Sequence, residues 1–256
     1  MTVACITGAS AGIGAAFARQ LAAQGHDLIL TARREDRLNA LRDDLQAAHN
    51  ITVTVIPADL SVRADVARLA GVIAQTDALT VLVNNAGFGT MGDFAASDID
   101  QQIAMVDVHI NATMALCRAA LPGMIALKRG DIINVSSIAA FLNGTTYSAS
   151  KAYLNTFSSG LQAEVKPHGI RVQALCPGYT YTEFHDTPEY DDFSREQIPQ
   201  SMWQTADEVV QFSLNKRGGK VVIIPGWRNR FLVFSMRTGL RPVVRRVRDW
   251  LYRRKK

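Results

Sequence analysis

Tyr147 and Lys151 stand four residues apart in Tyr147-Ser148-Ala149-Ser150-Lys151, at the start of a run with helical periodicity. On a helix this spacing puts a phenol and an ammonium on one face. A neighbouring Lys⁺ favours phenolate, so a side chain that otherwise titrates at about 10 can exchange a proton at neutral pH. Upstream, Val135-Ser136-Ser137 closes an apolar run of strand length. A hydroxyl at the carboxyl end of a parallel strand faces the crevice where open α/β sheets bind ligands.

A second set of residues suits a dinucleotide. Thr7-Gly8-Ala9-Ser10-Ala11-Gly12-Ile13-Gly14 lies between the first strand-like run and the first helix-like run. Gly8 allows a tight turn, Gly12 lets backbone approach a pyrophosphate, and Gly14 allows close helix packing. The helix start then offers free N–H groups and a positive dipole end to phosphate. The glycine spacing is GxxxGxG, not the commoner GxGxxG, so position after a strand carries much of the argument. The next strand-like run ends in Thr31-Ala32-Arg33-Arg34, where an acidic residue would hydrogen-bond a ribose 2′-hydroxyl. Two guanidinium groups suit a 2′-phosphate instead, which favours NADP(H) over NAD(H). The alternative is that Arg33 and Arg34 merely start a solvated helix and pair with Glu35 or Asp36.

These residues need a scaffold, and the chain supplies an alternation. Short apolar runs at Val3–Ile6, His26–Thr31, Ile51–Ile56, Thr80–Val83, Asp131–Val135, Ile170–Leu175 and Lys220–Ile224 read as seven strands. Between them, helical spacing recurs through Leu21-Ala22, at Arg37–Ala48, Arg63–Gln75, Ile99 to about Lys128 with a break near Leu121-Pro122, and Tyr147–Val165. Thr205 can cap one more short helix. All-apolar strands alternating with helices predict an α/β fold, a single doubly wound Rossmann-type parallel sheet of seven strands with helices on both faces.

Taken together, the motifs resemble those of the short-chain dehydrogenase/reductase family, and the resemblance runs to about Trp227. Thr7 to Gly14 looks like its cofactor turn. Asp59, with Leu60 beside it, falls where the family contacts adenine. Asn84-Asn85-Ala86-Gly87 matches its NNAG, so Asn85, Ala86 and Gly87 border the adenosine half. Ser137, Tyr147 and Lys151 match the catalytic serine, tyrosine and lysine; Ser136 is the alternative, though Ser137 follows the family's VSS pattern better. Pro177-Gly178-Tyr179-Thr180-Tyr181-Thr182 resembles PGxxxT, so Pro177, Gly178, Thr180 and Thr182 are expected at the nicotinamide carboxamide. Two departures stand out. Ser137 precedes Tyr147 by ten residues, fewer than is usual in the family, which implies a shortened substrate-side loop at Phe141 to Thr146. Counting back from Arg118-Ala119-Ala120-Leu121-Pro122 puts His109, not Asn111, where the family has an asparagine that holds a relay water. His109 can bind a water and titrate near neutrality, or it is a packed helical histidine.

The resemblance implies hydride transfer between nicotinamide and a ketone or secondary alcohol. Tyr147 would be the general acid/base, Lys151 would bind the nicotinamide ribose, Ser137 would bind the substrate oxygen, and no metal would take part. Phe184, Tyr190, Phe193, Met202 and Trp203 could line an apolar pocket for a lipid-like, 3-oxoacyl or steroid-type carbonyl, or could be ordinary packing. The competing class is a non-enzymatic NADP(H)-binding sensor or scaffold. Epimerases and dehydratases also share YxxxK, but PGxxxT and NNAG disfavour them.

Composition bounds the rest. A chain of 256 residues that is 48% hydrophobic and 20% charged suits one globular domain. Cys5, Cys117 and Cys176 form no CxxC pair and the five histidines no HxxxH pair, so neither a disulfide framework nor a zinc site is expected. No basic n-region precedes the first apolar run, and no long uninterrupted apolar window occurs, so the expectation is a cytoplasmic chain. The net charge of +5 is unevenly divided. Residues 228–256 hold 11 basic residues and one acidic residue, leaving 17 basic and 22 acidic in residues 1–227. The basic pI therefore reports a tail and not a nucleic-acid-binding body. After Pro242, Val243, Val244, Val247, Trp250 and Leu251 recur at helical spacing among arginines, as in a helix lying on an anionic membrane. That tail could equally pack on the acidic body or on a partner. The family resemblance implies a homodimer or homotetramer, with Ile99–Lys128 and Tyr147–Val165 as contact candidates.

Overall fold

Val3 to Thr7 becomes the first strand because each of its residues after Val3 is buried between helices on both sides of the sheet. The computed structural model describes residues 2–90, 92–186, 190 and 194–238. Its strands are β1 (Val3–Thr7), β2 (Asp27–Thr31), β3 (Val53–Val55), β4 (Leu79–Asn84), β5 (Gly130–Val135), β6 (Ile170–Leu175), β7 (Thr180–Tyr181), β8 (Gln204–Thr205) and β9 (Val222–Ile223). Seven of these form one sheet in the order β3-β2-β1-β4-β5-β6-β9, parallel throughout. β7 and β8 pair separately beside it. The expected doubly wound sheet is present, with a third and a last strand shorter than the apolar runs suggest. Chain order reverses between β1 and β4, which opens the crevice where such sheets bind ligands.

The helices are α1 (Gly12–Ala23), α2 (Glu35–Ala48), α3 (Arg63–Ala74), α4 (Ile99–Val106), α5 (Thr113–Leu127), α6 (Thr146–Val165), α7 (Ala206–Asn215) and α8 (Trp227–Arg237). Phe17 and Leu21 of α1, Leu38 and Leu41 of α2 and Val209 of α7 cover one face of the sheet. Leu69 of α3, Leu116 and Met124 of α5 and Leu161 of α6 cover the other. Fully burying one such side chain contributes about 1.5–3 kcal/mol.

Two expectations change. The long helical run does not break at Leu121-Pro122, because α5 continues through Pro122. Pro122 and Arg118 are both exposed, so the Arg118 carbonyl that loses its proline N–H partner faces water. The irregularity lies earlier, in a widened π turn over Asp107–Ala112 between α4 and α5. By length and apolar composition Ile99–Leu127 could cross a membrane, but Met105, Leu116 and Met124 are fully buried in the core. The second change concerns the segment after Trp227. α8 packs on the body through Asn229, Val233 and Ser235, all buried, and presents Trp227, Phe231 and Phe234 outward at 63%, 56% and 58% exposure. The rest of the basic tail, from residue 239, lies outside the described residues, as does Phe193.

Candidate active site

The glycine turn is held open by its own geometry. Gly8 and Gly12 take left-handed backbone at φ +65° and +53°, a region that disfavours side chains. A Cβ on Gly14 would lie 2.2 Å from the Gly8 carbonyl oxygen, so only glycine lets α1 start this close to the turn. Ala11 gives α1 no side-chain cap, which leaves the first-turn N–H groups free for an anion. Across the crevice, Asn85 donates its side-chain amide to the Thr7 and Gly8 carbonyls at 2.9 and 3.2 Å. Thr7 Oγ1 accepts from the backbone N–H of Asn85 and of Ala86. The end of β4 is thereby fastened to the turn. Asp59 accepts from the Ser61 backbone and hydroxyl at 2.9 and 2.7 Å, and Leu60 is buried beside it.

The two arginines after β2 part company. Arg34 donates to Ser10 Oγ through Nε and Nη2, at 3.3 and 3.0 Å, and pairs with Glu183 at 2.8 Å. Arg33 is exposed and forms no ion pair among the described residues. Neither arginine pairs with Glu35 or Asp36 there.

Ser137, Tyr147 and Lys151 come together at the carboxyl end of β5. The Ser137 hydroxyl lies close enough to the Tyr147 phenol to favour its ionised form. Ser136 turns away and donates to the Lys151 carbonyl at 2.9 Å, which anchors α6 to β5 and leaves Ser137 as the hydroxyl at the site. Lys151 donates from Nζ to the Val135 carbonyl at 3.1 Å and lies 5.6 Å from the Tyr147 ring centre. Sequence spacing suggested that Lys⁺ lowers the phenol; here burial dominates both groups. It pushes Tyr147 up to about 12, against a smaller opposing effect of Ser137, and pushes Lys151 down to about 7. Desolvation disfavours each charged form, and it acts in opposite directions on an acid and a base.

His109 reaches this cluster because the π turn rotates it inward, an irregularity often found at functional sites. Its Nε2 accepts from Phe88 N–H at 3.3 Å and its Nδ1 meets Ser150 Oγ at 2.9 Å. Ser150 in turn donates to the Tyr147 carbonyl at 2.8 Å. The partners assign the proton to Nδ1. Burial, and then the charge of Lys151, hold the imidazole well below its ordinary range, so it does not titrate near neutrality. Asn111 is exposed and bonds Asp107 at 2.6 Å, away from the site. A Cβ on Gly87 would meet His109 Nε2 at 2.6 Å and come within 3.5 Å of Lys151 Nζ. The bare backbone of Gly87 thus lets His109 and Lys151 approach it closely.

Residues 2–191 match the sequence profile of the short chain dehydrogenase family. The chain belongs to that family. A relative from Anopheles gambiae, named dehydrogenase/reductase SDR family protein 7-like, is 36% identical over 188 residues, covering 70% of this chain and 59% of the relative. The chain thus spans less than two thirds of that relative's length. Among solved structures, a short-chain dehydrogenase from Sphingobium yanoikuyae in complex with NADPH is 31% identical, with a TM-score of 0.83, over 94% of this chain and 96% of that one. A bulky-bulky ketone specific alcohol dehydrogenase from Comamonas testosteroni is 29% identical, with a TM-score of 0.78, over 94% of each chain.

As a short-chain dehydrogenase, the protein is an NAD(P)-dependent oxidoreductase acting on a CH–OH group. Pro177 accepts from Ile138 N–H at 2.9 Å, Gly178 lies against Asn229, and Thr180 donates to the Gly178 carbonyl at 3.0 Å. Thr182 stands over Gly12, where a Cβ would come 2.8 Å from Thr182 Cγ2. Of the expected pocket aromatics, Phe184 lies 6.0 Å from the Tyr147 ring and 5.3 Å from Tyr190. Trp203 is buried beneath the loop against Tyr179 and Tyr181, as packing, and Met202 is half-buried next to it. Sequence reasoning missed Arg37 and Glu183, which form an ion pair. The spacing of Arg37 three residues beyond Arg34 on a helix was a usable signal; nothing local marked Glu183.

Proposed function

We propose that this short-chain dehydrogenase interconverts a hydrophobic ketone and its secondary alcohol with NADP(H), and that Tyr147 carries the proton. The observation that carries the reading is the Ser137–Tyr147–Lys151 cluster facing the bare backbone of Gly87. The uncapped start of α1, the left-handed glycine turn at Gly8 and Gly12 and the Arg34–Ser10 contact fit a phosphorylated dinucleotide. The NADPH complex of the Sphingobium relative supports the choice of cofactor. A bound nicotinamide supplies or accepts the hydride. Ser137 orients the substrate oxygen, Tyr147 gives its phenolic proton to that oxygen or takes it back, and Lys151 holds the nicotinamide ribose. His109 ties the Phe88 backbone to α6 and so positions Tyr147. Phe184 supplies an apolar wall beside the phenol, in keeping with the bulky ketones named for the Comamonas relative.

NADPH oxidation over a panel of bulky ketones tests this. Tyr147→Phe is expected to lower kcat by about a hundred- to ten-thousand-fold, as loss of a general acid does, with cofactor affinity unchanged. A variant that keeps full turnover removes Tyr147 from the proposal. Absence of turnover in the wild type with every carbonyl favours the sensor reading. The outward aromatic residues of α8 and the basic sequence after it also support peripheral contact with an anionic membrane. Self-association through the helical runs Ile99–Leu127 and Thr146–Val165 is part of the same reading.

A further inference from the structure

Glu183 follows Thr182 directly and lies on the cofactor side of the crevice, not on the substrate side. Its two carboxylate oxygens are held separately, one by Arg34 at 2.8 Å and the other by Arg37. Arg34 simultaneously grips Ser10 of the glycine turn. Glu183 is thus the anion that this basic cluster holds, at the place where a 2′-phosphate would meet Arg34 and Ser10. The same turn carries Phe184, whose N–H donates to Thr182 Oγ1 at 3.3 Å and whose ring covers Tyr147.

We propose that Glu183 is an internal stand-in for the cofactor's 2′-phosphate: it latches the Glu183–His185 turn to Arg34 and Arg37 until that phosphate displaces it. This inference rests on the NADP(H) reading above. A phosphate offers three acceptor oxygens and about −1.5 to −2 charges, against two oxygens and a single charge for the carboxylate. It therefore wins the guanidinium pair. A ribose with only a 2′-hydroxyl carries no charge and leaves the latch closed. Arg34 and Arg37 hold the Glu183 carboxyl below its usual range, so the latch stays anionic at neutral pH. Release of Glu183 frees the adjacent Phe184 from the Tyr147 ring. Binding at the adenosine end thereby reshapes the wall of the carbonyl site.

The fragments 2′,5′-ADP and 5′-AMP test this without turnover. Calorimetric titration of the full chain is expected to show Glu183→Gln binding 2′,5′-ADP about three- to tenfold more tightly than the wild type, the scale of two half-exposed ion pairs. Affinity for 5′-AMP is expected to stay unchanged. In the wild type, 2′,5′-ADP is expected to speed amide hydrogen exchange at Glu183 to His185, whereas 5′-AMP leaves it alone. If the wild type prefers 2′,5′-ADP but Glu183→Gln binds it no more tightly, or exchange does not rise, the latch is wrong and the cofactor reading stands. If neither protein prefers 2′,5′-ADP to 5′-AMP, both fall.

Discussion

Loss of water around Lys151 is not compensated by a carboxylate: among the described residues its hydrogen bond goes to the Val135 carbonyl, and burial brings it down to about 7. An unfolded lysine keeps its proton to about 10.4. Between those values the unfolded chain binds more protons than the folded one, so this group makes stability rise with pH and lowers it below pH 7. Lys151→Met removes the linkage. Its unfolding free energy is expected to exceed that of the wild type most at pH 7 and least near pH 10; a pH-independent difference in urea titrations contradicts the assignment. Cys5 and Cys117, each pushed up to about 12 by burial, oppose the trend above about pH 9 in both proteins and cancel in the difference, whereas Cys176, also raised to about 12, interacts with Lys151 and enters the difference only above about pH 9. His109 makes a different prediction, because its two ring nitrogens serve Phe88 and Ser150. His109→Ala removes both hydrogen bonds, leaving the half-buried Phe88 N–H without this acceptor, and is expected to cost about 1–3 kcal/mol of stability, read from the shift in denaturation midpoint at unchanged m-value.

At the scale of elements, α7 offers the cleanest local test. Thr205 accepts from Glu208 N–H at 3.2 Å while Glu208 accepts from Thr205 N–H at 2.9 Å, a reciprocal capping box. Thr205→Ala is expected to lose about 1 kcal/mol and Thr205→Ser almost nothing, measured by thermal unfolding; equal losses would show that the methyl group matters and the cap does not. That cap was legible in the sequence because capping is a local pattern of hydroxyl and carboxylate. The buried strands were legible for the same reason, since two covered faces leave an unbroken apolar run. The widened turn at Asp107–Ala112 was not. No proline or glycine marks it, and the helix it packs against, α6, is distant in sequence, with His109 meeting Ser150 41 residues on. Pro122 misled in the opposite sense: sequence shows the missing donor but not that its carbonyl partner faces water. The Arg34–Glu183 contact joins residues 149 apart in sequence, a separation that only the sheet's crossover connections bring together.

For the molecule as a whole, charge and exposed apolar surface meet at one end of the chain. α8 is fastened to the body by Asn229, which donates to the Gln204 side chain at 3.1 Å and the Pro225 carbonyl at 3.0 Å and packs against Gly178. Its outer face sets Trp227, Phe231 and Phe234 at i, i+4 and i+7, more than half exposed. Residues 228–256 then carry 11 basic residues against one acidic. Aromatic side chains suit the headgroup boundary, and each nearby Lys or Arg adds about 1 kcal/mol of attraction to an anionic surface. The full chain is expected to sediment with phosphatidylserine–phosphatidylcholine vesicles at low salt and to be released as salt screens the charges. Truncation after Trp227 would be a poor control, since it removes the helix that buttresses Gly178. Phe231→Ser with Phe234→Ser keeps Asn229 and Val233 inside and is expected to abolish sedimentation at moderate salt. Wild-type protein that stays in solution at low salt, or a double variant that sediments like the wild type, ends the membrane reading. A double variant that instead changes oligomeric state, while the wild type ignores vesicles, assigns the aromatic ridge to a subunit contact. Because α8 lies against Gly178, a membrane bound at this ridge would hold the crevice close to the lipid surface, where a hydrophobic ketone is most concentrated.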